Sequence, residues 1–262
     1  MPYNPLTNPF DLSGKVAVVT GAGSGLGADA ARAYARAGAS VALLDINDDG
    51  LETVRAELAS DGHKVIAVHT DVSVDGEVAH AIEETDKAFG QIDIVLNDAG
   101  TFARDSVENF NDEEWDHVFA VNLKGILHTS KYVIPGFKKR HYGKIVNISS
   151  VNAVRAEKAE EYVRDSYFSS KAAVLGLTTA LAARYAKYGI TVNAIGPGLF
   201  KTGITANNFE NPKLIERIAD ANPTGRYGQS GELNGAVLFL SSDASSYVQG
   251  QFIIVDGGQT LV

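Results

Sequence analysis

The stretch "KVAVVTGAGSGLGADAARAYARAG", from Lys15 to Gly38, decides the fold. It begins with a short apolar run rich in valine, passes through a loop of alternating glycines and small residues, and ends in an alanine-rich segment. The valine run predicts a buried strand, and the alanine-rich segment predicts a helix. A strand that turns through glycines directly into a helix predicts the first unit of an α/β sheet.

The same alternation continues along the chain. Seven apolar runs predict strands, at 15–20, 40–45, 64–70, 92–97, 144–149, 190–195 and 251–256. Helical segments fit between them, at 25–38, 48–60, 75–89, 112–139, 165–188 and 231–241. Because the strand runs are almost continuously apolar, both of their faces are expected to be covered, as in a parallel sheet. The sequence therefore predicts a Rossmann-type α/β fold, a doubly wound seven-stranded parallel sheet sandwiched by helices.

Length and composition predict one domain over residues 1–262. They argue against a nucleic-acid partner, a metal site and a membrane span. A chain of 262 residues with 45% hydrophobic and 21% charged residues can form one large core. A net charge of -9 without a basic cluster argues against nucleic acid as a partner. The absence of cysteine and the scattered histidines argue against a metal site. No apolar run is long enough for a bilayer, and we expect a cytoplasmic protein.

Two segments do not follow the strand and helix pattern. Residues 1–13, "MPYNPLTNPFDLS", contain three prolines and neither a basic start nor an apolar run, which predicts a mobile N-terminal arm rather than a signal peptide. Residues 197–222 contain turns and short helices without a strand. Since they follow the carboxyl end of a strand, where ligands bind in open α/β sheets, we expect a lid over a substrate site.

The glycine loop predicts a nucleotide site. Gly21, Gly25 and Gly27 have the spacing GxxxGxG, with Ser24 and Leu26 between them. Glycines allow the tight turn, and they let a pyrophosphate approach the amides at the start of the helix. Such a string is weak by itself, but its position between a first strand and a first helix favours dinucleotide binding.

Acidic residues at strand ends predict which dinucleotide binds. Asp45 ends the second strand, where a carboxylate can accept hydrogen bonds from both adenosine ribose hydroxyls and repel a 2'-phosphate. NAD(H) is therefore favoured over NADP(H), although Asp45 as a solvated strand-end residue stays an alternative. Asp71 and Val72, in "TDVS", are candidates for contacts with the adenine, and Asp71 as a simple turn residue is the alternative.

Seven motifs together resemble the short-chain dehydrogenase/reductase family in its single-domain form. They are "TGAGSGLG" (20–27), "NDAG" (97–100), "AVNLKG" (120–125), "NISS" (147–150), "YFSSK" (167–171), "PGLFKT" (197–202) and "VDGG" (255–258). The start "FDLSGKVAVVTG" and the C-terminal pattern look like the branch with gluconate 5-dehydrogenases, sorbose reductases and mannitol 2-dehydrogenases. The resemblance also implies a homotetramer, with a homodimer as the alternative.

A tyrosine and a lysine carry the predicted chemistry. Of the ten tyrosines, only Tyr167 has a lysine, Lys171, four residues later, and that spacing places both on one helix face. A nearby ammonium lowers the pKa of a phenol, which can then take a proton from an alcohol. Ser150 matches the family's catalytic serine and would hold the substrate oxygen. Ser149, thirteen residues before Tyr162, stays the alternative.

The resemblance implies further roles. Asn122 would hold a water that connects the catalytic lysine to solvent. Further cofactor contacts would come from the motifs after the fourth and sixth strands and from the catalytic helix, at Asn97, Ala99, Gly100, Tyr167, Lys171, Pro197, Gly198, Leu199 and Thr202. One departure is Asp98, because the family usually has a second asparagine there.

Polar segments beside the predicted site suggest the substrate class. The candidate substrate residues are Arg104, Ser150, Asn152, Tyr162 and Tyr167. Polar linings suit a polyol, a keto-sugar or a sugar acid, and an arginine can pair with a carboxylate. We therefore expect an NAD(H)-dependent enzyme that interconverts such an alcohol and its ketone. A hydroxysteroid or other secondary-alcohol dehydrogenase is the alternative, and a non-catalytic NAD-binding redox sensor is a more remote one.

Overall fold

The computed structural model describes residues 8–156, 163–201, 220 and 222–262. Its strands are β1 Val16–Thr20, β2 Ser40–Asp45, β3 Val65–His69, β4 Ile94–Asn97, β5 Gly143–Ile148, β6 Ile190–Pro197 and β7 Phe252–Val255. Its helices are α1 Gly25–Arg36, α2 Asp48–Ser60, α3 Asp75–Phe89, α4 Asp112–Phe119, α5 Gly125–Arg140, α6 Asp165–Tyr185 and α7 Asn234–Ser241. Strands and helices alternate as the sequence predicted.

The seven strands form one parallel sheet with the order β3-β2-β1-β4-β5-β6-β7. The order reverses between β1 and β4, whose carboxyl ends pair at Thr20 and Asn97. In such sheets the crevice for a ligand opens at the point of reversal. The predicted single-domain, Rossmann-type fold is confirmed.

Buried side chains cover both faces of the sheet. On one face, Ala17 and Val19 of β1 belong to a core cluster that includes Tyr34 of α1. On the other face, Val18 packs in a second cluster that includes Phe137 of α5. Because successive strand residues point to opposite faces, a strand covered on both sides is apolar at nearly every position, as residues 16–19 of β1 are.

The predicted helix over 112–139 is interrupted. α4 ends at Phe119, and a π-helical turn, Ala120–Lys124, connects it to α5. A π turn holds one residue more than an α turn, and such turns are frequent at functional sites. Asn122 lies in this turn, so the interruption occurs at one of the predicted catalytic residues.

The prediction of a mobile N-terminal arm over residues 1–13 is wrong at Leu12, because this residue packs in the core. This side chain is 1% exposed in the core, and its amide donates to the Ala37 carbonyl at 2.8 Å. Burial of a leucine offsets the entropy of fixing the chain, so this part of the arm is held. Residues 1–7 and most of the predicted lid, 202–219 and 221, lie outside the described residues. In the described ranges, no helix is both long and apolar enough to cross a membrane.

Candidate active site

The glycine loop between β1 and α1 depends on its glycines. Gly21 and Gly25 have positive φ angles, 71° and 56°, which residues with a Cβ rarely adopt. A Cβ on Gly27 would lie 2.2 Å from the Gly21 carbonyl oxygen, and one on Gly21 would lie 2.9 Å from the Ala99 amide nitrogen. The loop is therefore packed closely against the start of α1 and the segment after β4.

The start of α1 fits an anionic group. The first amides of a helix have no partner within the helix and carry its positive dipole end. Ser24 precedes the helix in extended backbone and is exposed, and the first turn of α1 contains no acidic residue. These properties, together with the glycine cradle, suit a dinucleotide diphosphate at Gly25 and Leu26.

Asp45 lies beside this loop. Its Oδ2 accepts from the Gly23 amide at 2.9 Å, and its Oδ1 accepts from the Asn47 amide at 2.9 Å. These two bonds hold a partly exposed carboxylate at the carboxyl end of β2. The position is suitable for the hydroxyls of an adenosine ribose.

The two residues proposed for the adenine have other partners. Asp71 accepts from the amide and hydroxyl of Ser73 at 2.8 and 2.7 Å, so its carboxylate stabilises its own turn. Val72 is buried, and its carbonyl oxygen lies 2.8 Å from Nδ1 of His128. The structure thus favours the turn interpretation for Asp71, and adenine contact stays a prediction.

The segment after β4 is tied to β1. Thr20 Oγ1 accepts from the amides of Asp98 and Ala99, both at 3.1 Å. The Asn97 side chain bonds to two other side chains of the core. It donates to Asn147 Oδ1 at 2.9 Å and accepts from Thr129 Oγ1 at 2.7 Å. Asn97 is 4% exposed, so these side-chain partners satisfy its amide inside the core.

The structure brings Ser150 and Tyr167 together. The Ser150 hydroxyl lies close enough to the Tyr167 hydroxyl to lower the pKa of the tyrosine. Ser149 instead donates its hydroxyl to the Lys171 carbonyl at 2.8 Å, which ties β5 to α6. Of the two serines, the geometry therefore places Ser150 beside the tyrosine.

Lys171 and Asn122 complete the cluster. Lys171 Nζ donates to the Ile148 carbonyl at 2.9 Å and lies 5.7 Å from the centroid of the Tyr167 ring. A Cβ on Gly100 would lie 3.4 Å from both Lys171 Nζ and Asn122 Oδ1, so both polar atoms lie close to this glycine. The bond to the Ile148 carbonyl therefore fixes the position of the lysine ammonium.

The Asn122 side chain organises its neighbours. Its Oδ1 accepts from the Thr101 amide at 2.8 Å, and its Nδ2 donates to the Thr101 carbonyl and to Ser170 Oγ, both at 2.9 Å. These bonds connect the π turn, the loop after β4 and α6. The water relay implied by the resemblance stays a prediction.

The pKa of Tyr167 differs from the sequence expectation. Burial raises the pKa of its hydroxyl above the ordinary value, and the bond to Ser150 and the charge of Arg164 oppose this shift. The expected lowering is therefore wrong for this structure, because desolvation of the phenolate is the largest effect. Burial also lowers the pKa of Lys171 to about 8, while the charge of Asp98 opposes that shift.

The remaining candidates are placed as follows. Arg104 is exposed, and the Asn152 amide donates to Ser150 Oγ at 3.1 Å. Pro197 ends β6, and the Gly198 amide donates to the Val255 carbonyl at 3.0 Å. The Leu199 carbonyl accepts from the Gly228 amide at 2.9 Å. Tyr162 and Thr202 lie outside the described residues.

Sequence reasoning missed Arg164. Its guanidinium stacks on the Phe102 ring, 4.1 Å from the centroid, and its charge acts on the Tyr167 hydroxyl. The spacing was an available signal, because Arg164 precedes Tyr167 by three residues at the start of the same helix. Because Arg164 lies in a run of charged residues, the sequence does not distinguish it from its charged neighbours.

Sequence reasoning also missed Asp105. This buried carboxylate accepts from the Ser166 amide at 3.1 Å and from the Ser166 hydroxyl at 2.9 Å. In return, Asp165 Oδ2 accepts from the Val107 amide at 3.0 Å. A loop after β4 thus caps the start of α6, directly before Tyr167.

Comparisons with known proteins agree with this geometry. A family model described as enoyl-(acyl carrier protein) reductase matches residues 21–260. The oxidoreductase UcpA of Salmonella typhimurium is 38% identical over 256 residues, which are 95% of this chain and 96% of UcpA. The gluconate 5-dehydrogenase of Gluconobacter oxydans is 35% identical over 252 residues, 96% of this chain and 97% of that enzyme.

A solved structure is similarly close. The gluconate 5-dehydrogenase of Burkholderia cenocepacia, in complex with NADP and tartrate, superposes with a TM-score of 0.90 at 34% identity. The match covers 97% of this chain and 98% of that one. The chain is therefore similar to oxidoreductases over nearly its whole length.

Proposed function

The chain belongs to the short-chain dehydrogenase/reductase family, and from this premise we propose that it is an NAD(H)-dependent enzyme that interconverts a secondary alcohol and its ketone. The observation that carries the proposal is the placement of Ser150 beside Tyr167, where it lowers the pKa of the tyrosine, with Lys171 one helical turn beyond. We further propose a polyol, a keto-sugar or a sugar acid as the substrate, with a sugar acid favoured.

The residues divide the proton chemistry among them. A bound nicotinamide supplies the hydride acceptor or donor. In oxidation, the Tyr167 phenolate takes the hydroxyl proton, and in reduction the neutral phenol returns it to the substrate oxygen. Ser150 donates a hydrogen bond to that oxygen and stabilises its developing charge. Lys171, held at the Ile148 carbonyl, provides a nearby positive charge that favours the phenolate.

Asp45 supports NAD(H) as the cofactor. Its carboxylate is fixed next to the glycine loop by the amides of Gly23 and Asn47. A 2'-phosphate placed there would meet a like charge, which is unfavourable. The Burkholderia gluconate 5-dehydrogenase structure contains NADP, so similar structures include an NADP binder, and the ratio of activities with the two cofactors tests the proposal.

Arg164 supports a sugar acid. Its guanidinium is oriented by the Phe102 ring, and its charge reaches the Tyr167 hydroxyl. A guanidinium can bind a carboxylate with two parallel hydrogen bonds. The Burkholderia enzyme contains tartrate, a hydroxy acid with two carboxylates, which is consistent with this class.

A substrate panel tests the proposed function. Purified protein is mixed with NAD or NADP and with sugar acids, polyols or hydroxysteroids, and the absorbance of the reduced cofactor is followed. We expect turnover with NAD and a sugar acid. Turnover only with hydroxysteroids would refute the sugar assignment, and dinucleotide binding without turnover across the panel would favour a non-catalytic role.

Replacing Arg164 with methionine tests the carboxylate contact. We expect KM for a sugar acid to rise about 10- to 100-fold, because a charge-assisted pair contributes about 1.5–3 kcal/mol. KM for a polyol that lacks a carboxylate should change less than about threefold, since the polyol has no charge for the arginine to bind. The matched control is Arg184→Met, which removes an exposed arginine from the last turn of the same helix. Equal losses for both substrates would assign Arg164 a structural role.

Two further properties stay predictions. We propose a homotetramer in solution, as the family resemblance implies, and a cytoplasmic location. Two apolar residues at the C-terminus, Leu261 and Val262, are 82% and 78% exposed, and subunit contact would cover such residues. Light scattering on the purified protein measures the mass directly.

A further inference from the structure

The Asp98 side chain lies next to the glycine loop and within electrostatic reach of Lys171. A Cβ on Gly27 would lie 2.8 Å from Asp98 Oδ2, and the Gly27 amide lowers the pKa of this carboxyl group. The Asp98 backbone amide is held by Thr20 Oγ1 at 3.1 Å. The side chain therefore lies under the glycine loop, at the first turn of α1.

Charged groups from several elements surround this carboxyl group. Lys171 of α6 attracts it, whereas Asp45 of β2 and Asp29 of α1 repel it. The charge of Asp98 also raises the pKa of the Tyr34 and Tyr167 hydroxyls. Lys171 is the cation that favours the ionised form.

Burial decides the balance among these effects. It raises the pKa of Asp98 to about 7, against the opposing effects of Lys171 and the Gly27 amide. The carboxyl group therefore changes charge near neutral pH. An additional negative charge at the start of α1 would raise the pKa of Asp98 further, because it disfavours the carboxylate.

We propose that Asp98 makes cofactor binding proton-linked: when a dinucleotide diphosphate occupies the start of α1, the enclosed Asp98 carboxyl group takes up a proton from solvent. This rests on the dinucleotide binding of the proposed function. The proton neutralises a carboxylate that would otherwise repel the diphosphate from beneath the glycine loop. The cofactor therefore binds more tightly at pH 6.5 than at pH 8.

The sign of the effect follows from linkage. Below the pKa of the free protein, Asp98 already carries its proton, and affinity does not depend on it. As the pH rises above about 7, binding requires proton uptake, and Kd increases by up to about tenfold per pH unit until the pKa of the complex is reached. An asparagine at this position has no proton to exchange, so the dependence disappears.

Infrared difference spectroscopy and calorimetry test the proposal together. NAD is the probe, because its diphosphate does not titrate near neutral pH. At pH 7.5 we expect binding to produce a new C=O band of a protonated carboxyl group and to remove carboxylate bands. Calorimetry in two buffers of different ionisation enthalpy should show uptake of a substantial fraction of a proton. Both signals should be absent in Asp98→Asn.

Asp86→Asn is the matched control. Burial raises the pKa of Asp86 as well, but this residue lies on α3, away from the glycine loop. The control variant should retain both the infrared band and the proton uptake. A carboxyl band that persists in Asp98→Asn would assign the proton to another acid and would overturn the proposal.

The wild-type protein alone also provides a decisive result. Proton uptake without a new carboxyl band would place the proton on Lys171. NAD binding without any proton uptake would mean that Asp98 is not linked to cofactor binding. Either result would overturn the proposal. Since no substrate is present, failure here is distinct from failure of the proposed reaction. Proton-linked binding without turnover would refute only the proposed reaction. A complete lack of dinucleotide binding would refute both the proposed reaction and the proton linkage.

Discussion

Replacing Tyr167 with phenylalanine is expected to lower kcat by about 10²- to 10⁴-fold, the usual contribution of a positioned acid or base. The ring would keep its packing in α6, and only the hydroxyl that exchanges the proton would be lost. NAD affinity and the unfolding midpoint should therefore change little. Steady-state kinetics, cofactor titration and denaturant unfolding measure the three quantities.

The pH profile of the unmodified enzyme belongs to the same prediction. Burial raises the pKa of Tyr167, so the phenolate that oxidation needs becomes more abundant as the pH rises. We expect the oxidation rate to increase with pH on the alkaline side and the reduction rate to fall there. Tyr185→Phe, a change further along the same helix, is the control and should keep the profile. Full activity of Tyr167→Phe would refute the acid and base role.

Replacing Asp45 with asparagine is expected to reduce the preference for NAD over NADP by about a hundredfold, which corresponds to about 2.8 kcal/mol. Asparagine keeps an oxygen that can accept from the Gly23 amide, but it lacks the charge that repels a 2'-phosphate. The ratio of kcat/KM for the two cofactors is the measurement. We expect most of the change to come from improved use of NADP.

Asp48→Asn is the matched control for this experiment. Asp48 is an exposed acid nearby at the start of α2, where its carboxylate lies 2.9 Å from Nδ1 of His69. Its removal also changes the net charge by one, so it reports the general electrostatic effect. A similar shift in both variants would mean that Asp45 has no special position at the ribose. An unmodified protein that already prefers NADP would contradict the assignment directly.

Local spacing predicted the parts of the site that lie on one element. Tyr167 and Lys171 are one helical turn apart, and the glycines of 21–27 connect β1 directly to α1, so periodicity and turn chemistry were sufficient. Asp45 followed from the end of its strand in the same way. These positions depend on short stretches of chain, which a sequence displays directly.

The contacts of Asp105 and Arg164 that sequence did not predict join distant segments. Asp105 caps a helix 60 residues later, at Asp165, and Arg164 stacks on Phe102 from another loop. The raised pKa of Tyr167 also depends on burial, which is a property of the packed molecule. No periodicity encodes such contacts, because they arise only when the carboxyl ends of neighbouring strands meet.

The bonds of Asp105 to Ser166 and of Asp165 to Val107 have a consequence for engineering. They fasten the loop after β4 to the helix that carries Tyr167. Libraries that vary this loop to change the substrate range will therefore also displace the tyrosine, and turnover will fall together with the old specificity. A design that retains both aspartates and varies only the loop positions that make none of these bonds separates the two properties.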